Sequence, residues 1–105
     1  MTKNILLLGR IEILLDDMEQ QLRMPDIQLF DGTKVEDVRS VFAQANIDHV
    51  FIGAGIDLEI RLEMIREIFQ LSDTTTVHMK DKISGPQGFV PFVRSVLGGL
   101  KDYEM

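Results

Sequence analysis

A three-layer α/β sandwich, built on a four-stranded parallel sheet of order 2-1-3-4 with two helices on each face, is the fold this sequence predicts. Three observations predict it. The apolar pattern switches four times between a short strand-like run and a helical period. The strand-like runs are separated by helix-length crossovers, which parallel pairing requires. Two of the four runs are apolar on both faces and belong at the centre of a sheet.

The first unit opens with Asn4-Ile5-Leu6-Leu7-Leu8-Gly9, an apolar run ending in glycine. From Ile11 the period becomes helical, with Ile11, Leu14, Leu15, Met18 and Leu22 on one face and Pro25 as the stop. Asp16-Asp17 then sits mid-helix as a solvated face. Ile27-Gln28-Leu29-Phe30 is the second strand, closed by Asp31-Gly32. Thr33 and Glu36 carry a capping-box signature, and Val35, Val38, Val41, Phe42 and Ala45 give the stripe of the second helix.

His49-Val50-Phe51-Ile52 is the third strand, followed by Gly53-Ala54-Gly55. The third helix runs from about Asp57 to Leu71, and residues 75–80 form the fourth strand. Pro91 lacks a backbone donor and belongs in a first turn, so the last helix starts near Gly88, with Phe89, Phe92, Val93, Val96, Leu97 and Leu100 inward. Strands one and three are central; the alternating strands two and four are edges. Right-handed crossovers place helices one and four on one face and helices two and three on the other.

Length and composition set further bounds. A chain of 105 residues suits one domain, spanning residues 1–105, and buries roughly 65% of the surface its unfolded form exposes. Apolar content of 45% and charged content of 27% are ordinary for a globular protein. There is no cysteine, which rules out disulfides, thiolate catalysis and sulfur-ligated metals. No apolar run reaches the ~18 residues of a membrane helix. The opening residues lack a signal-peptide pattern, so the expected location is the cytoplasm. A net charge of -6 without a Lys/Arg cluster repels a nucleic-acid backbone, so neither nucleic acid nor a membrane is an expected partner.

A parallel sheet of this kind binds ligands beyond the carboxyl ends of its strands, where the strand order reverses. Here that point lies between strands one and three and gathers Gly9, Arg10, Gly53, Ala54 and Gly55, with Asp31 to one side and His78, Lys80 and residues 84–88 to the other. Each has a plain structural reading beside the ligand-binding one. The glycines suit tight turns, Asp31 suits a turn ahead of Thr33, and Lys80 suits a solvated position. His78 is a weak candidate for a general acid or base, or an ordinary edge histidine. The Ser84-Gly85-Pro86-Gln87-Gly88 segment is either a phosphate cradle or a plain loop. No metal site is expected.

Residues Phe30-Asp31-Gly32-Thr33, Val35-Glu36-Asp37-Val38 and Ile47 to Ile56 resemble the middle of the short-chain dehydrogenase/reductase family, which has a Rossmann-like fold. The resemblance implies that Asp31 stands at the acidic adenine-contacting position and that Ala54 and Gly55 stand beside an NAD(P) or related nucleotide. Ile52 and Gly53 replace the two asparagines of that family. Of its three loop glycines only Gly9 is kept, with Ile11, Ile13 and Leu14 following. Its Tyr-x-x-x-Lys is absent: the only tyrosine, Tyr103, is followed by Glu104 and Met105. The implied protein is a shortened relative or a look-alike without the redox machinery. A phospho-receiver is a poorer fit, since Gly9-Arg10 and Gly53-Ala54-Gly55 stand where that chemistry needs aspartates.

The third helix is unusual. Leu58, Ile60, Leu62, Met64, Ile65, Ile68, Phe69 and Leu71 cover roughly 200° of its circumference, against the ~100° that one packing face needs. A homodimer through Ile60, Arg61, Met64 and Ile68 is the expected cover, with Arg61 meeting a carboxylate across a two-fold axis; cover by the chain itself is the alternative. Three functions compete: a non-catalytic binding or regulatory module, an interaction homodimer without ligand, and a minimal or degenerate oxidoreductase-like enzyme.

Overall fold

The computed structural model describes residues 2–100. The element order is β1 (Lys3–Leu8), α1 (Leu15–Leu22), β2 (Ile27–Gly32), α2 (Val35–Gln44), β3 (His49–Ile52), α3 (Leu58–Leu71), β4 (Thr76–Met79), a 3-10 turn (Pro86–Gly88) and α4 (Phe89–Gly99). All pairings are parallel and the strand order is β2-β1-β3-β4.

The central strands bury both faces, and this divides the core in two. Leu6 and Leu8 of β1, with Val50 and Ile52 of β3, pack under α2 and α3 against Val38, Val41, Met64 and Ile68. Ile5, Leu7 and Phe51 point the other way, to Met18 and Leu22 of α1 and Val93 of α4. Strand alternation therefore assigns each helix to its layer. The edges are less covered: Gln28 on β2 is exposed and Thr76 and His78 on β4 are half-buried.

Two helix starts differ from the sequence expectation. The first helix begins at Leu15 and not at Ile11; Ile11 and Leu14 are each 71% exposed, so they are not core residues. The Asp31 carboxylate accepts the Ile13 N–H at 3.3 Å and ties down the intervening loop. Asp16 and Asp17 thus fall in the first turn, where carboxylates favour the positive helix end, and not mid-helix.

The second helix starts one residue later than the Thr33–Glu36 box. Asp37, not Glu36, turns back: its carboxylate accepts the N–H of Thr33 at 2.7 Å and of Lys34 at 3.2 Å. The shorter side chain reaches because Gly32 lets the turn close on it. A Cβ on Gly32 would stand 2.7 Å from Asp37 Cβ and 3.1 Å from Leu8 Cδ2. These bonds hold the Asp37 carboxyl below its ordinary value, the Thr33 N–H contributing most.

The fourth helix starts at Phe89 after the 3-10 turn, which leaves Pro91 in the first turn. Arg94 bonds the Gln21 carbonyl and ties α4 to α1. Arg39 and Glu67 form an ion pair at 3.1 Å between α2 and α3. Among the described residues no helix is long and apolar enough to cross a membrane.

Candidate functional site

Beyond the carboxyl ends of β1 and β3 lies a crevice of about 470 Å³. Its floor follows from the topology. β1 continues toward α1 on one face and β3 toward α3 on the other, so the two loops part. Gly9 and Arg10 line one side, with Gly53, Ala54 and Gly55 beside them. Arg10 lies close over Gly55: a Cβ there would stand 3.5 Å from Arg10 Cβ.

The other wall comes from the segment after β4. Lys80, Lys82, Gly85 and Phe89 line it. Lys80 is 6% exposed, so it is not the solvated residue that the end of an edge strand suggests. Its ammonium donates to Ser84 Oγ at 2.7 Å and to the Asp81 carbonyl at 2.9 Å. Ser84 Oγ in turn donates to Asp81 Oδ1 at 2.9 Å, and Ser84 N–H donates to Asp81 Oδ2 at 2.8 Å. Those two Ser84 bonds, the backbone one first, hold the Asp81 carboxyl below its ordinary value. Lys80, Asp81 and Ser84 thus form a closed knot at the crevice wall. The lysine stem packs inward, and its ammonium is held by the loop that borders the crevice.

The same knot consumes the donors that a phosphate cradle needs. Ser84 N–H goes to Asp81, Gly85 N–H to the Lys82 carbonyl, Gly88 N–H to the Gly85 carbonyl and Phe89 N–H to the Pro86 carbonyl. Pro86 has none. The remaining backbone donor of residues 84–88, that of Gln87, lies inside the 3-10 turn. The segment is a structural turn, built around Gly85 at φ +72°, where a side chain would be strained.

Two residues placed near the crevice from the sequence stand elsewhere. Asp31 does not line it; its carboxylate is engaged with the Ile13 N–H. His78 also does not line it. Its ring stacks on Phe51 at 5.0 Å, with Phe92 edge-on to Phe51 at 5.8 Å. Thr76 Oγ1 lies 2.8 Å from His78 Nε2 and 2.6 Å from His49 Nδ1, so the three side chains form one polar chain on the sheet face beneath α4. Burial lowers the His78 pKa below its ordinary 6.5.

Sequence reasoning missed Glu12, Lys82 and Phe89, and the use of Ile11 and Ile13 as apolar wall. The 80/82 spacing of the lysines was the available signal. The isoleucines were hidden by the helical period that continues through them into α1.

The third helix also departs from expectation. Met64 and Ile68 are fully buried in the chain's own core and cannot anchor a second subunit. Ile60 is 40% exposed, and Arg61 is half-buried with its Nε lacking a hydrogen-bond partner among the described residues.

Fold and crevice together define a class: an open parallel α/β sheet with a small, mostly apolar, cation-edged cleft at its topological switch point. No protein-family model, no curated protein and no solved structure matches the chain.

Proposed function

We propose that the chain is a non-catalytic binding module whose crevice holds a small anion with a flat apolar body, such as a mononucleotide or a phosphorylated metabolite. One observation carries the reading. The 470 Å³ crevice is lined by the cations Arg10, Lys80 and Lys82, by one carboxylate, Glu12, and by the apolar side chains Ile11, Ile13 and Phe89. That pairing of apolar lining with a few charged groups is what orients a small ligand.

A dinucleotide suits the site less well. The diphosphate of such a cofactor is held by free N–H groups at the start of the first helix. Here that helix starts at Leu15, and its first turn carries Asp16 and Asp17, which repel an anion. The enzyme reading loses its acid/base candidate with His78 outside the crevice.

A ligand-free interaction protein is the second reading. It is favoured by exposed apolar side chains around the segments that border the crevice: Ile11 and Leu14 at 71% and Ile83 at 98%. Such a rim suits a protein surface.

Thermal shift with AMP, FMN, NAD and inorganic phosphate separates the two. A ligand at 100-fold its Kd adds ~2.7 kcal/mol of apparent stability. AMP or FMN is expected to raise Tm, and Arg10→Ala or Lys82→Ala to remove most of the rise. A rise that survives both substitutions places the ligand elsewhere. No rise with any of the four favours the interaction protein.

A further inference from the structure

Two unsatisfied features of the chain lie on the same side. The first is on α3. Its core-facing line is Met64 and Ile68, and its α2-facing side is marked by Glu67, paired with Arg39. On the opposite flank, away from α2, stand Leu58, Leu62 and Phe69, with Ile65 half-buried between them against the chain's own core. At ~100° per residue these four fall within an arc of roughly 60°. Their spacing is 4-3-4, that of a helix-pairing seam. Leu58 is 55%, Leu62 44% and Phe69 52% exposed.

The second feature is the outer edge of β4, which among the described residues pairs only with β3. Thr76 and Lys80 donate inward to Asp48 and Ile52. By alternation the N–H and C=O groups of Val77 and Met79 point outward. An uncovered edge of this kind is a template for another strand. Met79, 38% exposed, faces the α3 layer beside Ile52.

We propose that a second copy of this chain covers both features at once, through a two-fold axis normal to the sheet. β4 pairs antiparallel with β4 of the second copy, and α3 packs antiparallel against its counterpart. The result is an eight-stranded sheet. The spacings agree: helices pack 8–10 Å apart, about two strand spacings of ~4.8 Å, so one helix row fits over the continued strand row. The axis agrees as well. The seam is centred between Glu63 and Met64, and the Val77–Met79 exchange is centred at His78; each point lies about one residue from the middle of its element.

Charge complementarity supports a second copy as the occupant. The solvent flank of the seam carries Glu59 and Arg66, both exposed and neither in an ion pair among the described residues. With a rise of ~1.5 Å per residue, Arg66 of one copy lies within ~3 Å along the axis of Glu59 of the other. The two-fold repeats the contact, so each arginine meets the other copy's Glu59. Arg66 thereby takes the role that the sequence suggested for Arg61, which sits on the sheet side of the seam. This inference is independent of whether the crevice holds a ligand.

Sedimentation of the whole chain across micromolar to millimolar concentration tests it, with three variants at exposed positions. Wild type is expected to dimerise. Leu62→Gln is expected to weaken the dimer at least tenfold. Arg66→Glu makes the flank wholly acidic, and Glu59→Arg makes it wholly basic. Each alone is expected to stay monomeric, and an equimolar mixture is expected to dimerise. Circular dichroism checks that every variant is folded. In the wild-type dimer the amides of Val77 and Met79 are expected to gain protection from hydrogen exchange. A wild type that stays monomeric at millimolar concentration overturns the proposal. So does a dimer whose charge variants fail to rescue each other, or one that leaves the Val77 and Met79 amides unprotected.

Discussion

The Lys80 ammonium stands 2.7 Å from Ser84 Oγ, and this one bond closes the crevice wall. Lys80 is nearly inaccessible and has two acceptors, Ser84 Oγ and the Asp81 carbonyl. Ser84→Ala leaves the ammonium with a single partner and is expected to cost ~1–3 kcal/mol in urea unfolding. Lys80→Met combined with Ser84→Ala removes donor and acceptor together and keeps the apolar stem. The pair is expected to cost less than Ser84→Ala alone. A double variant that is the less stable of the two refutes the knot as an energetic unit.

Asp37 caps α2 from inside the helix. Its carboxyl is held below the ordinary 3.8, chiefly by the Thr33 N–H. The unfolded chain therefore takes up this proton more readily than the folded one. The contribution to stability is present in full above the ordinary value and is lost as pH falls through the lowered one. Asp37→Ala is expected to cost ~1 kcal/mol at neutral pH, the worth of a typical cap. Asp37→Asn is expected to flatten stability against pH as the pH falls below 3.8, read by denaturant midpoints in acid.

His78 gives the opposite chemistry with the same slope. Burial against Phe51 holds its pKa below 6.5, so protonation is resisted in the folded state and free in the unfolded one. Stability is full above 6.5 and falls as pH drops from there toward the lowered folded value. His78→Phe keeps a ring on Phe51 and removes the titration. Between neutral and mildly acidic pH, Tm of the variant is expected to change less than that of wild type. Equal slopes would assign the pH response to other groups.

Two glycines make contrasting predictions. Gly32→Ala drives a methyl to 2.7 Å from Asp37 Cβ, at the cap of α2. The expected loss is ~1–3 kcal/mol by overpacking. Gly98 lies in the last turn of α4, is exposed, and an added Cβ there would meet nothing within 4 Å. Gly98→Ala is expected to stabilise by ~0.5–1 kcal/mol through helix propensity. Differential scanning calorimetry of both variants reads opposite shifts in Tm.

The sequence by itself determined the layer plan. Leu6 and Leu8 differ in face from Ile5 and Leu7 because a strand alternates, and all four are apolar because both faces are covered. Period and punctuation are local, so element order, strand order and the crevice's place at the rim were legible. The exchange of Asp37 for Glu36 at the α2 cap, the late start of α1 and the burial of Lys80 were decided only by the tertiary structure. Each depends on a group brought near by the fold: Gly32 against Asp37, Asp31 against Ile13, Ser84 against Lys80. The third helix shows the same division. Its excess of apolar residues was plain from the wheel, but burial of Met64 and Ile68 against β1 and β3 decided which of them remain for a partner.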